Sequence, residues 1–275
     1  MGLRINTNLG SIAAQRQLTV SSRDLEKSMK QLASGSRFAD LGEGAADFAI
    51  AEHLRGQISG MKAARFNAQN ATSFIQVAEG GLNEQNNILV RQRELAIQAA
   101  SDTFSDTERE MLDQEYQQLN AEADRIAKTT TFGSHKLLAG EEKQYEFQVG
   151  AYGGAENIIT YNSNTNTTTS ALDMAGSGVA DKSDARNSIE SIDQALQTIA
   201  KARADFGAMQ SRLESVDNNA GVQIENLTAA HSRIADTDVA EAVSSMYKNQ
   251  ALQQYQLQVL GQANQFPGNI IKMIG

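Results

Sequence analysis

MKAARFNAQNATSFIQVAEGGLNEQNNILVRQRELAIQAA, residues 61–100, carries the reading of the fold. Met61, Ala64, Ala68, Ala71, Ile75, Ala78 and Leu82 follow one another in alternating steps of three and four, and the register continues through Gln85, Leu89, Gln92, Ala96 and Ala99. Sustained spacing of this kind keeps one helix face turned to a partner helix, the pattern of a coiled coil. Extended back to Asp47, the helix would run roughly 80 Å at about 1.5 Å per residue. Alanine at so many seam positions demands close partner helices. Gly80 and Gly81 are the one interruption, each costing about 1 kcal/mol relative to alanine in a helix interior.

Downstream, Ser105 and Glu108 form an S-x-x-E capping box, in which side chains satisfy orphan amides at a helix start. Leu112, Tyr116, Leu119, Ala123 and Ile126 give the next seam, which ends near Lys128 at a run of threonines and Gly133. Residues 144–161 alternate apolar and polar at Tyr145, Phe147, Val149, Ile159 and Tyr161 around Gly153–Gly154, which predicts a β-hairpin. Residues 162–184 are rich in Asn, Thr, Ser and Gly and read as an exposed polar loop. A third long helix opens near Ser183–Asn187, with a seam from Ile189 to Leu227. Upstream, Leu18, Leu25, Met29 and Leu32 mark an amphipathic N-terminal helix. From Asn249 to Ile271 there are 23 residues without a charge, seven of them Gln, a composition suited to a helix enclosed by protein on all sides. The expected fold class is mainly α, a long antiparallel helical bundle or coiled coil with a small β-hairpin region.

Composition agrees. The chain of 275 residues has one proline, Pro267, 39 alanines and no tryptophan, so little interrupts its helices. No cysteine is present, which removes thiol catalysis, disulfides and Cys-type metal centres. A net charge of −9 argues against nucleic acid, whose phosphates require surplus Lys and Arg. No stretch resembles a membrane span or a cleaved secretory peptide, which by itself suggests a cytoplasmic protein. His53, His135 and His231 lie far apart without metal-ligand spacing, and His231 reads as a core or interface histidine. Sequons at Asn70, Asn166 and Asn226 read as chance matches, and neither a nucleophile elbow nor a phosphate loop occurs. No catalytic residue, cofactor or metal is expected. What remains is self-assembly through helices that finish packing against other copies.

The residues at both ends resemble bacterial flagellin. At the N-terminal side these are Ile5-Asn6-Thr7-Asn8, Ala14-Gln15-Arg16, Gln31 to Arg37, Ala78 to Glu84 and Val90 to Ala96; at the C-terminal side, Asn226 to Asp238 and Leu260 to Gln265. The resemblance implies a structural subunit of the flagellar filament. Residues 1–40 and 236–275 would pair as the inner-tube coiled coil, D0, and residues 41–161 with 185–235 would form the D1 bundle with its hairpin at about 144–161. The 162–184 loop would stand in place of the D2 and D3 domains. D0 assembly would use Leu9, Leu18, Leu25, Met29, Leu32, Leu252, Tyr255, Leu257, Val259 and Leu260.

The resemblance also implies an extracellular filament exported unfolded through the flagellar type III channel without a cleaved signal, which replaces the cytoplasmic expectation. Implied partners are other copies of the chain, an export chaperone at the C-terminus, and the filament cap and hook–filament junction proteins. Arg91, Leu95 and Glu115 match the contact that receptor-activating relatives make with the vertebrate Toll-like receptor for flagellin, although Val90 departs from that pattern. Candidate O-glycan sites in the loop are Ser163, Thr165, Thr167, Thr168, Thr169, Ser170 and Ser177. The alternatives are a hook–filament junction protein and, from another class, a coiled-coil adaptor or signalling protein, whose terminal helices should carry charged flanking positions.

Overall fold

A computed structural model describes residues 8–38 and 44–274. Five α-helices dominate: α1 (Leu9–Ser34), α2 (Ala45–Ala99), α3 (Asp106–Thr129), α4 (Lys182–Ala235) and α5 (Val239–Ile274). Four short strands lie between α3 and α4: β1 (Thr131–Phe132), β2 (His135–Lys136), β3 (Lys143–Gln148) and β4 (Ile158–Ser163). The chain divides into two compact units, one of Met1–Gln57 with Glu225–Gly275 and one of Ile58–Ile224. The expected division at 40/41 and the Ile5-Asn6-Thr7 segment lie outside the described residues.

In the first unit α1 starts under Asn8, whose side-chain oxygen accepts the Ser11 amide at 3.0 Å, and stops at Gly35 in the left-handed region with φ 68°. The Gly35 amide closes back on Gln31 O at 2.8 Å. Two main-chain bonds, Arg37 N to Ala235 O at 2.8 Å and Thr237 N to Gly35 O at 3.0 Å, then tie the end of α1 to the turn before α5. Asp238 caps α5 by accepting the Ala240 and Glu241 amides.

The second unit holds the main core. Ala68, Ile75, Leu82 and Leu89 of α2 pack with Tyr116 of α3 and Ile192, Ile199, Phe206 and Leu213 of α4, all nearly inaccessible. The predicted capping box is present at the start of α3, where the Glu108 carboxylate accepts Ser105 N at 2.7 Å and Ser105 Oγ at 2.8 Å. The predicted hairpin forms from β3 and β4, antiparallel, with Tyr145 opposite Tyr161 and Phe147 opposite Ile159. Its aromatic side chains surround Phe74 of α2, with ring centroids 4.9 Å away for Tyr145 and 5.8 Å for Phe147. The β1–β2 pair was not expected; it folds the Thr-rich stretch back through Gly133 at φ 61°.

Two expectations change. Gly80–Gly81 does not weaken α2, which runs through both residues. A Cβ on Gly81 would stand 2.7 Å from Thr130 Oγ1 and 2.8 Å from Leu138 Cδ1, so the missing side chain permits a close approach. The second change concerns residues 162–184, which are not an exposed loop throughout. Leu172, Met174 and Val179 are buried and belong to the core, as are Ser163 and Thr167 among the polar residues. The segment is a strap held by its backbone. Gln85 Nε2 donates to Thr167 O, Asn120 Nδ2 to Met174 O and Gln117 Nε2 to Ser177 O, while Asp113 and Asp124 accept the Val179 and Thr169 amides. Helix α3 thus reads the strap with side chains at 113, 117, 120 and 124, spaced three or four apart on one face. A polar composition hid the burial because main-chain groups, not apolar side chains, make most of these contacts.

Candidate assembly surfaces

The pair of helices α1 and α5 has an unusual seam. Among the described residues its inaccessible positions are Ser21, Ser28, Ala242 and Gln256. Gln256 Nε2 donates to Ser21 Oγ at 2.9 Å and Gln253 Nε2 to Ser22 Oγ at 3.2 Å. Further along, Asn8 Nδ2 donates to Ala263 O and Ser11 Oγ to Asn264 Oδ1, each at 2.7 Å. Many of the large apolar side chains point away from it. Leu9 is 63% exposed and Tyr255 65%; Met29, Leu252, Leu257 and Val259 are exposed too, and Leu18, Leu25, Leu32 and Leu260 are half-buried. An ordinary helical hairpin turns its leucines inward. Here Ser21 and Ser28 alternate with half-buried Leu18, Leu25 and Leu32 along the seam, and a large apolar surface that includes Leu9, Met29, Tyr255 and Leu257 is left outside.

A second surface lies where α2 meets α3. Arg91 reaches across to Glu115 through Nε at 2.9 Å and Nη2 at 2.7 Å, and to Glu94 on its own helix at 3.1 Å. Hydrogen bonds donated to Glu115, then to Glu94, hold the guanidinium above its ordinary pKa. Exposed Val90, Ile97 and Met111 are carried on the same two helices. Leu95 is elsewhere: it is 0% exposed and part of the core. The expectation of an Arg91–Leu95–Glu115 contact is corrected on this point. Residues four apart share a helix face only broadly, and the turn of about 40° between them carries position 95 inside while 91 stays at its edge.

The strap also alters the glycan candidates. Ser163 and Thr167 are 1% exposed and inaccessible to a modifying enzyme in the folded chain. Ser177 Oγ lies 2.9 Å from the Tyr116 hydroxyl and donates to Met174 O, so it is engaged within the strap. Thr165, Thr168 and Thr169 are half-buried, and Ser170 is exposed.

Sequence reasoning passed over Arg109, the most consequential buried cation. It is 8% exposed, with Nε donating to Ala99 O at 2.9 Å, Nη2 to Ser101 O at 3.0 Å and Nη1 to Asp106 at 2.6 Å. It caps the carbonyl end of α2 from the first turn of α3. An arginine four residues after an N-cap serine was the available signal.

A groove of about 650 Å³ in the first unit is lined by charges of both signs, among them Asp24, Arg37, Arg233, Glu241 and Lys248. Among the described residues no three His, Asp or Glu side chains converge to hold a metal ion, and no helix is long and apolar enough to cross a membrane.

Comparison with known proteins agrees with the helical layout. The bacterial flagellin N-terminal helical region matches residues 5–143 and the bacterial flagellin C-terminal helical region matches residues 189–274. The chain belongs to the bacterial flagellin family. It is 36% identical to a flagellin of Halalkalibacterium halodurans over 270 residues, covering 98% of this chain and 99% of that one. Identity to the Bacillus subtilis flagellin is 34% over 99% of this chain and 100% of the other, and to a flagellar filament 30.7 kDa core protein of Treponema maltophilum 35% over 98% and 99%. The crystal structure of Bacillus cereus flagellin superposes with a TM-score of 0.51 at 33% identity, covering 60% of this chain and 94% of that one. This flagellin is therefore a structural subunit of the bacterial flagellar filament, of minimal form, and assembles as a homopolymer. Its family is one of structural proteins.

Proposed function

We propose that α1 and α5 form the inner-tube layer, D0, and that the outward apolar side chains are the contacts between copies. The large apolar side chains left exposed beside a partly polar seam are the observation that carries this. Ser21, Ser22, Gln253 and Gln256 align the two helices, while Leu9, Met29, Tyr255 and Leu257 await burial against neighbours. Residues 41–161 and 185–235 then serve as the D1 wall. The chain leaves the cell unfolded through the flagellar type III channel and becomes extracellular at the filament. Before export, the uncharged stretch Asn249–Ile271 of α5, which would otherwise aggregate, is the segment that a flagellin export chaperone covers. At the filament's two ends the cap and the hook–filament junction proteins meet the same terminal helices. For the Toll-like receptor, Arg91 and Glu115 remain exposed candidates and Leu95 does not.

Polymerisation of a Tyr255→Ser, Leu257→Ser variant tests the central point. Purified monomer is seeded with filament fragments and followed by sedimentation and negative stain, with circular dichroism of the monomer as control. The expected result is parental helix content in the monomer and loss of filaments. Filaments forming at the parental rate would refute the assignment of these side chains to contacts between copies.

A further inference from the structure

Helices α2 and α4 must find one register along their length, and the seven-residue apolar repeat by itself admits more than one. On α2 the buried positions Ala68, Ile75, Leu82, Leu89 and Ala96 recur every seven residues, and on α4 Ala185, Ile192, Ile199, Phe206, Leu213 and Ala220 do the same. Sliding one helix past the other by seven residues, about 10 Å, returns apolar to apolar. The connection between them is long, all of α3, four strands and the strap, and holds only the end of α2 and the start of α4 in place.

Among the described residues three ion pairs cross between these helices. Arg65 meets Asp217 with a two-pronged contact at 3.0 and 3.1 Å, Arg203 approaches Glu79 at 3.8 Å, and Arg93 meets Asp193 at 2.7 Å. Their places on α2, at 65, 79 and 93, are fourteen residues apart, twice the apolar repeat. Their signs alternate, positive, negative, positive along α2 against negative, positive, negative on α4.

We infer that these three pairs are the register key of the α2–α4 bundle, with the six charged side chains acting as positioning residues. A seven-residue slip in one direction places Gln210 beside Arg65, Leu196 beside Glu79 and Arg186 beside Arg93; in the other it offers Ile224, Gln210 and Ala200. All three pairs are lost together either way. A fourteen-residue slip is worse, bringing Arg203 to Arg65 in one direction and Asp217 to Glu79 in the other. Partly exposed pairs of this kind add little to stability, whereas misplaced charges discriminate strongly between alternatives, so their contribution is to the choice of register. The subunit surface presented to other copies depends on that choice.

The chain has no cysteine, so Asn87→Cys on α2 and Ser211→Cys on α4 give two unique spin-label sites on exposed positions. Pulsed electron–electron distance measurement is made on the full chain, on a Glu79→Gln, Asp193→Asn, Asp217→Asn variant, and on a variant with all three pairs exchanged in sign. The parent should give one distance. The neutralised variant should keep its helix content and gain a second population displaced by about 10 Å, the rise of seven residues. The sign-exchanged variant should return to one distance and to normal filament formation. A neutralised variant with the parent's single distance would overturn the inference. So would failure of the sign-exchanged variant to restore one distance, including the case in which both variants fail to fold. Because the distance is read on monomer, a failure here is separable from any failure of the inner-tube reading.

Discussion

Replacing Arg109 by alanine should be among the most damaging single changes in the Ile58–Ile224 unit. The guanidinium donates to the carbonyls of Ala99, the last residue of α2, and of Ser101 just beyond it, from a position 8% exposed. Hydrogen bonds to a charged group contribute about 1.5–3 kcal/mol each, and a buried acceptor left unpaired carries its full desolvation cost. The third contact, to Asp106, counts for little, since that carboxylate is 91% exposed. Partial hydration of the Ser101 carbonyl at the turn offsets some of the loss, so the expected destabilisation is about 3 kcal/mol. For a body of this size that lowers the melting temperature by roughly 6–12 °C. The assay is guanidinium and thermal unfolding followed by helix circular dichroism, on the parent, Arg109→Ala and Arg109→Lys. Lysine should recover less than half the loss, because one ammonium cannot span two carbonyls set apart as a fork. A loss below about 1 kcal/mol for alanine, or full recovery by lysine, would refute the capping argument.

Gln85 and Gln92 bury side-chain oxygens without a partner, so the near-isosteric Gln92→Met change should leave stability unchanged or raise it by about 1 kcal/mol in denaturant unfolding. Leu213→Ala opens a cavity at a fully buried α4 position and should cost about 2–5 kcal/mol by the same measurement. Asp217 is held below its ordinary carboxylate pKa by the hydrogen bond from Arg65, with the charge of Arg65 adding to it. A group depressed in the folded state stabilises fully above its unfolded pKa and loses that contribution as pH falls through the folded one. The parent should therefore lose stability between about pH 5 and pH 2 more steeply than Asp217→Asn, as read by urea midpoints across that range. In intact filament or monomer, peptide mass spectrometry should find any strap glycan at Ser170 or the half-buried threonines and none at Ser163 or Thr167.

Periodicity in the sequence determined the helices, because an apolar repeat of three and four residues has one physical solution, a helix with a partner. It placed α2 to within a few residues at each end, found the Ser105–Glu108 box and located the β3–β4 hairpin from its alternation. The end motifs likewise carried the family. Tertiary structure alone decided which side of each helix is enclosed. Met29, spaced like a core residue, stands outside, while Ser21 and Ser28 are enclosed in the seam beside half-buried leucines, where Gln256 of α5 meets Ser21. Leu95 lies inside although its neighbour Arg91 does not, because four residues turn a helix about 40° past a full circle, enough to separate core from surface. The strap was illegible for a different reason. Its contacts run from α3 side chains to main-chain groups, and main-chain groups are the same in every sequence, so only their position in space could show that residues 166–179 are held down.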